Sequence, residues 1–445
     1  MKLIRYSDPD FDSELIGLAG ESSLFDQGIE ERTWSIIQEV LNKRDEALIQ
    51  YTHQFNGFET TPDRLKVNRA ELLTASLKAT PGLRKSVKEA WQNIRLFANK
   101  GLRKPWSTRN SHGASVGEKF DPLSRVGIYV PGGTAPLVST ALMTITLAKV
   151  AGCKEIVVCT PCAKDGSINS SLLYAVQAAG ATEIYRLGGA QAIAAMALGT
   201  PTVRKVQKVF GPGNSYVVAA KRLLFGHVGI DLLPGPSEVL VLADAGANPE
   251  YVAADLVAQA EHGSGHERVW LVTDSKPLIK TVENCIKRNI ELRDRKQAIK
   301  ASLDNNGAII LVRNLKQAVA VANQLAPEHC ELLVKNPRSL ISSITTSGAI
   351  FVGQYSPTVV GDYVAGPSHT LPTGGAGHAF SGLTVDQFQR RTSVVEYSRA
   401  NLKKALHAVQ DFAQMEGLDG HGASATIRFG KTAGTKLTKT KRDRS

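Results

Sequence analysis

Gln259 and His262 stand three positions apart at the expected end of a helix, so both side chains can face one point, as metal ligands on a helix must. Three further stations carry metal-capable groups: Asp362 in a Gly-Asp-Tyr run, His369, and His421 in an Asp-Gly-His run. A nitrogen and oxygen set of this kind suits Zn²⁺ or a neighbouring divalent ion. Spacing alone does not bring the stations together. His262 and His266 form a rival pair four apart, but Gly263-Ser264-Gly265 between them should break the helix that would align them. Glu328-His329 follows Pro327 just before an expected strand. An adjacent carboxylate and imidazole, with ordinary pKa values of about 4.3 and about 6.5, offer two proton acceptors of different basicity and suit proton transfer in two steps. Such a pair taken alone is more often structural, and gains weight only beside the other stations.

Three glycine turns, Gly132-Gly133, Gly188-Gly189 and Gly211-Pro212-Gly213-Asn214, each follow a short β-branched run. In open parallel sheets ligands gather at the carboxyl ends of strands, where such turns bring backbone N–H groups close to an anion. The turns could hold a dinucleotide, yet none spells GxGxxG or GxxxxGK[ST]. Singly, each reads as a turn that needs positive φ. Cys159-Thr-Pro-Cys162 has CxxC spacing, but no second CxxC exists, so these are read as buried bystander thiols.

The elements that must position these residues are legible from periodicity. Residues 1–25 show no clear period and are expected to be an N-terminal arm. From 28 to 104 apolar residues recur at helical intervals, as at Trp34, Ile37, Val40 and Leu41. Near Val126 the pattern becomes strand, glycine turn, helix, repeated through strands expected near 126–130, 155–159, 183–187 and 208–210. A second series has strands expected near 238–242, 269–272, 308–312 and 331–334. Alternation of this kind implies parallel strands with right-handed crossovers. The fold expected is α/β, two Rossmann-like parallel-sheet domains with small N- and C-terminal helical extensions. Residues 26–124 and 238–382 are expected to form one discontinuous domain, 125–237 the glycine-turn domain, 383–430 a helical appendage, and 431–445 a basic disordered tail.

Length and composition narrow the classes. A chain of 445 residues holds several domains, and 42% hydrophobic with 21% charged residues is enough to build cores, which argues against wholesale disorder. No apolar run approaches the ~20 residues of a spanning helix, and the start has no apolar signal region, so a cytoplasmic address is expected. Five cysteines, an odd number, fit a reducing compartment rather than a disulfide framework. The net charge of +12 invites a nucleic-acid reading, but six basic residues against one acid sit in the last sixteen positions, and aromatic residues make up only 6% of the chain. No specific nucleic-acid partner and no membrane partner are expected.

Eight ordered segments together resemble the histidinol dehydrogenase family: RVGIYVPGGTAP at 125–136, LGGAQAIAA at 187–195, FGPGNSY at 210–216, LPGPSEVL at 233–240, AQAEHG at 258–263, APEHCE at 326–331, GDYVAGPSHTLPT at 361–373 and EGLDGH at 416–421. The resemblance implies an NAD-linked enzyme that oxidises L-histidinol through the aldehyde to L-histidine, a four-electron reaction using two NAD and one bound zinc per site. Carried over by motif position, the zinc ligands are Gln259, His262, Asp362 and His421. The NAD contacts are Tyr129, Gln191 and Asn214. The substrate contacts are Ser237, His329, His369 and Glu416 together with the metal shell, and the proton-transfer residues are Glu328 and His329. The family is homodimeric with shared active sites, which implies that His369, Glu416 and His421 act in the partner's site. Relatives with this fold also oxidise other small alcohols, amino alcohols or sulfonated diols, and such a substrate is the alternative. One departure is the Gly263-Ser264-Gly265-His266 run, where the family pattern leads to expectation of a proline-containing turn; another is the basic tail, which has no counterpart.

Overall fold

Runs such as Glu238-Val-Leu-Val-Leu-Ala243 are buried at every position, the mark of a strand covered on both faces by helices. A computed structural model describes residues 1–19, 26–132, 136–263 and 265–430 of the chain. The strands in chain order are β1 (Lys2–Arg5), β2 (Trp106–Arg109), β3 (Ser115–Pro122), β4 (Arg125–Tyr129), β5 (Glu155–Thr160), β6 (Glu183–Arg186), β7 (Lys208–Phe210), β8 (Gly229–Ile230), β9 (Glu238–Ala243), β10 (Arg268–Thr273), β11 (Gly307–Leu311), β12 (His329–Leu333), β13 (Ala349–Val352) and β14 (Gln389–Glu396).

Two parallel sheets result, one ordered β6-β5-β4-β7-β8 and one ordered β1-β11-β10-β9-β12-β13. In each sheet the central strands alternate their side chains between two apolar layers. Val126, Ile128 and Val158 face one layer of the five-stranded sheet, while Tyr129, Val157 and Val209 face the other. The six-stranded sheet divides Val239 and Val241 from Leu240 and Leu242 in the same way. The expectation of an α/β chain with two parallel sheets is met.

The boundaries need correction. Residues 2–5 are no arm: β1 pairs in parallel with β11, with Lys2 opposite Ala308, and the helix Phe11–Ala19 buries Phe11 and Leu15 against the same sheet. A four-residue edge strand with only Ile4 buried has no period to read, and its partner lies some three hundred positions away. The helices between 27 and 101 also belong elsewhere. Gln27–Lys43 packs on Gly189–Leu198 and Ser215–Leu224, and Pro81–Gly101 packs on Val138–Ala151, so they cover the five-stranded sheet and not the six-stranded one. Helical periodicity reveals that a face is buried, not against which sheet.

The chain divides into two compact units, Met1–Leu102 with Pro122–Phe388, and Arg103–Asp121 with the chain from Gln389. The second unit corrects the expected all-helical appendage. β14 joins β3, which pairs antiparallel with β2, before the helices Arg399–Met415 and Asp419–Thr426. Within it Asn110 and His112 hydrogen-bond the Tyr397 hydroxyl, and the Asn401 amide donates to the His112 carbonyl. The basic tail at 431–445 lies outside the described residues. No helix among the described residues is long and apolar enough to cross a membrane, and all five cysteines are buried and unpaired.

At the amino ends of β4, β5 and β6, buried Arg125 bridges Glu155 and Glu183, with a guanidinium to Glu183 contact of 2.6 Å, and the Tyr185 hydroxyl also donates to Glu183 at 2.6 Å. The Arg125 hydrogen bonds, opposed in part by burial, hold the Glu183 carboxyl down to about 2. A carboxyl depressed in the folded state adds stability above its unfolded pKa and gives it up as protons return. Between about pH 5 and about pH 2 the protein should therefore lose on the order of 2 kcal/mol through this group, after allowance for water screening. The gap in urea midpoint between Glu183→Gln and the parent should be full at about pH 6 and mostly closed at about pH 2, the acid end of that window; an undiminished gap there contradicts the assignment.

Candidate active site

The two sheets offer opposite ends to one cavity of about 1640 Å³. From the five-stranded sheet come segments that follow carboxyl ends: Pro131 and Gly132 after β4, and 211–214 after β7. From the six-stranded sheet come amino ends, with 233–237 leading into β9 and Glu328 leading into β12. The cavity therefore lies at the carboxyl ends of one sheet and at the amino ends of the other. Asn214, Ser237, Gln259, His262, Glu328, His329, Asp362 and His369 all line this cavity.

The proton-transfer pair is held by its neighbouring strand. Ala326 ends the helix Leu315–Leu325 in the left-handed region at φ 46, at a cost of about 1–2 kcal/mol for a residue with a Cβ. Pro327 then leads directly into Glu328. The backbone N–H of Glu238 donates to the Glu328 carboxylate at 2.9 Å, and the Ser237 hydroxyl also bonds it. The ring of His329 donates from Nδ1 to the Glu238 carbonyl at 2.9 Å, which leaves Nε2 as the acceptor, 3.8 Å from the Asp362 carboxylate. Burial is the largest influence on both. It pushes Glu328 well up, reinforced by the charges of Glu238 and Asp362, and it pulls His329 down against the attraction of Asp362. His329 thus stands as a neutral imidazole with one tautomer selected.

The metal stations within the first unit come together around the same space. Gln259 lies in the last turn of the helix Pro249–Ala260, almost fully buried, and its amide nitrogen has no partner among the described residues. Amide oxygen and nitrogen exchange by a flip, so this side chain presents an uncommitted polar atom to the cavity. His262, exposed, is fixed through Nδ1 to the Gln259 carbonyl at 3.0 Å, leaving Nε2 free. Asp362 lies on the helix Thr358–Tyr363, and its backbone carbonyl accepts from His369 Nδ1 at 2.9 Å. The His369 Nε2 meets the Thr140 hydroxyl at 3.2 Å, so His369 lines its own chain's cavity, which corrects the expectation that it acts in the partner's site along with Glu416 and His421. Two nitrogen or oxygen groups and an unpartnered amide fit a zinc ion's preference, but they fall short of four ligands. Among the described residues no group of three or more His, Cys, Asp or Glu is close enough to hold a metal. Glu416 and His421 are exposed residues of the second unit, Glu416 capping the helix Arg399–Met415 and His421 on the helix Asp419–Thr426. Gly263 and Gly265 both take positive φ, as the expected helix break between His262 and His266 requires, and the Gly265 amide is tied to buried Glu267; His266 lines the same cavity.

The three nucleotide stations differ in exposure. Asn214 is exposed and caps the helix Ser215–Leu224 through Val217 N–H at 3.1 Å. Tyr129 and Gln191 are buried behind the turn. The Tyr129 hydroxyl accepts from the Gly189 amide at 3.0 Å, and burial raises it to about 12; both polar atoms of the Gln191 amide lack partners among the described residues. The turn at Gly211 is compulsory glycine, because φ is +112 and a Cβ would lie 2.1 Å from the Tyr129 carbonyl oxygen. Part of the first turn, 133–135, lies outside the described residues.

Sequence reasoning missed Thr140, Glu238 and the Lys221–Asp231 pair. Glu238 was visible only as part of a motif, and its backbone role follows from the register of β9 and β12, with Val239 opposite His329. Lys221 and Asp231 are fully buried and ion-paired. The Lys221 ammonium also donates to the carbonyls of Gly211 at 3.0 Å and Leu232 at 2.6 Å, while Asp231 accepts from the Gly211 amide at 2.8 Å. One ion pair thus secures both the glycine turn and the strand-to-sheet connection that carries Ser237. The only sequence signal was a lysine in an otherwise apolar helix face.

A buried carboxylate and a single-tautomer imidazole, opening on a large cavity between opposed sheet ends, define an α/β enzyme built for proton transfer. Comparison with known proteins narrows the class. The histidinol dehydrogenase family model matches residues 21–429. A histidinol dehydrogenase of Heliobacterium mobile is 42% identical over 97% of this chain and 100% of its own, and one from Synechococcus sp. is 43% identical over 88% and 90%. The crystal structure of histidinol dehydrogenase from Elizabethkingia anophelis superposes with a TM-score of 0.91 at 33% identity, covering 97% of this chain and 98% of that one. The chain belongs to the histidinol dehydrogenase family.

Removing one member of the buried pair should be costly. Lys221→Met leaves the Asp231 carboxylate without its counter-charge and should lose about 3–5 kcal/mol in urea unfolding at neutral pH, with Asp231→Asn added to it restoring part of the loss. A single variant within about 1 kcal/mol of the parent would show that the pair does not hold the turn.

Proposed function

We propose how this chain performs its family's reaction, the oxidation of histidinol to histidine in histidine biosynthesis. The observation that carries the reading is the selected tautomer of His329: Nδ1–H is spent on the Glu238 carbonyl, so Nε2 faces the cavity as a proton acceptor. Gln259, His262 and Asp362 would hold zinc together with His421 of a second copy, and Tyr129, Gln191 and Asn214 would contact NAD. When bound, zinc would orient the substrate's nitrogen atoms and NAD would accept a hydride in each of two oxidations.

The chain's own residues supply the proton chemistry. His329 Nε2 accepts the alcohol proton as the carbinol hydrogen departs. Glu328, its basicity raised by burial toward the range useful to a general base, accepts a proton from water as water adds to the aldehyde. His329 then accepts the proton of the resulting diol in the second oxidation. Ser237 and the Glu238 amide keep Glu328 aimed into the cavity. His369, oriented by the Asp362 carbonyl and the Thr140 hydroxyl, and Glu416 recognise the substrate's polar groups.

The reading includes a homodimer with shared sites and a cytoplasmic address. Its support is chemical: three stations of one chain leave a tetrahedral ion one ligand short, while His421 and Glu416 stand exposed beside exposed Phe412, Met415, Leu418 and Ile427, an apolar surface of the kind that partners cover.

Assayed separately on histidinol and on the aldehyde, His329→Asn should depress both oxidations by about 10²–10⁴-fold with zinc content unchanged, and Glu328→Gln should depress aldehyde oxidation more than alcohol oxidation. Equal losses for Glu328→Gln in both half-reactions would remove its assignment. Mixed dimers of His329→Asn with His421→Ala should regain activity, because one of the two sites then receives intact groups from both chains. Verified heterodimers without activity would refute the sharing of sites.

A further inference from the structure

Two acids outside the proton-transfer machinery, one fully buried and one half-buried, touch each other. Glu331, fully buried, sits two positions after His329 on β12 and so points to the same face of the sheet. One of its carboxylate oxygens accepts from the Thr358 backbone N–H at 2.6 Å, at the start of the helix that carries Asp362. Its other oxygen is buried and has no amide, amine or hydroxyl partner among the described residues. The group that reaches Glu331 is the half-buried carboxyl of Asp255, in side-chain hydrogen-bond contact. Asp255 stands one helical turn before Gln259 on the helix Pro249–Ala260.

Two carboxylates cannot share such a contact while both are ionised, since burial and mutual repulsion each disfavour the second charge. A proton between them converts repulsion into a short charge-assisted hydrogen bond. Burial pushes Asp255 up to about 6, and Glu331 rises well above its ordinary value for the same reason and from the charge of Asp255. The pair titrates as one unit with a tightly held proton.

We propose that Asp255 and Glu331 share one proton and act as a positioning pair, a three-way brace that fixes the Gln259 helix and the Asp362 helix against the strand bearing His329. Neither acid touches substrate. The link to metal rests on the function proposed above; the brace itself does not, because its two contacts, which join three elements, are present in the protein alone. The geometry explains how ligands from two helices and a base from a strand keep a common centre, a task that packing of the short helix Thr358–Tyr363, which buries only Thr358, does not accomplish.

The test compares two substitutions of one residue. Asp255→Asn keeps shape and supplies a permanent N–H donor to the Glu331 carboxylate, with the same net charge as the singly protonated pair. Asp255→Leu fills the space but offers no donor. Hydrogen exchange of the backbone across Thr358–Tyr363, followed by mass spectrometry on metal-free protein, should quicken at least about tenfold in Asp255→Leu, the change expected when roughly 1.4 kcal/mol of local protection is lost, and stay within about twofold of the parent in Asp255→Asn. On zinc-loaded protein, the chelator concentration that strips half the metal should fall about 10–100-fold for Asp255→Leu, the usual consequence of losing support behind a ligand, and be unchanged for Asp255→Asn. Should Asp255→Leu not fold, Glu331→Gln replaces it in reverse: its amide oxygen still accepts from Thr358, its NH₂ still donates to Asp255, and exchange should match the parent. Parent-like exchange in Asp255→Leu, or equal damage from Asp255→Asn, or faster exchange in Glu331→Gln, overturns the brace. If the unsubstituted protein takes up no zinc, the function proposed above fails while the exchange experiment still decides the brace.

Discussion

The backbone of one residue, Glu238, sets the chemistry of the cavity. As the first residue of β9 it gives its N–H to Glu328 and its carbonyl to His329, both on the adjoining strand. A shift of one position in the parallel register would send these side chains to the opposite face. The register is secured by a core in which Val239, Val241 and Leu240 are wholly buried, and the Glu238 side chain adds its own anchor through Arg268 and the Gly374 amide, each at 2.9 Å. Selection of the His329 tautomer is thus a consequence of sheet pairing rather than of any local motif.

The second constraint is the opposition of the sheets. Carboxyl ends of the five-stranded sheet bring glycine turns, whose N–H groups suit phosphates. Amino ends of the six-stranded sheet bring acids and imidazoles at strand starts. Neither sheet alone would put both kinds of group on one cavity. The connection 231–237 joins them, and Lys221 with Asp231 fixes it at the point where the glycine turn passes. A buried ion pair is an expensive fastener, yet here it satisfies three backbone groups that a hydrocarbon side chain would leave unpaired.

What the sequence made legible follows the range of each signal. Strand and helix periods are local, so β4–β7 and β9–β12 could be located within a few residues, with β12 starting at His329 and not two residues later. The Gln259 and His262 pair was readable because helical spacing is local too. Pairing partners at long range were not. β1 joins β11, and the helices from 27 to 101 cover the five-stranded sheet, neither of which any local pattern encodes. Thr140 and Glu238 act through a hydroxyl and a backbone, chemistry that no residue type announces. Glu328, His329, Asp362 and His369 stood out by residue type and took their expected roles from motif resemblance, and that they line one cavity became visible only through tertiary placement.

The charge balance of the cavity ties these features together. Glu238, Glu328, Glu331 and Asp255 all have their carboxyls pushed upward, each chiefly by burial. A protein that buries so many acids in one region must neutralise them, with cations or with protons. Arg268 serves one of them directly, and protons serve others. Such a region would draw a divalent cation, and a cation there would weaken the hold of the nearby acids on their protons. Under the function and the brace proposed above, Glu328, which lines the cavity, is the acid that such a cation would shift toward the ionised state, whereas Asp255 and Glu331 would be held by their own contact.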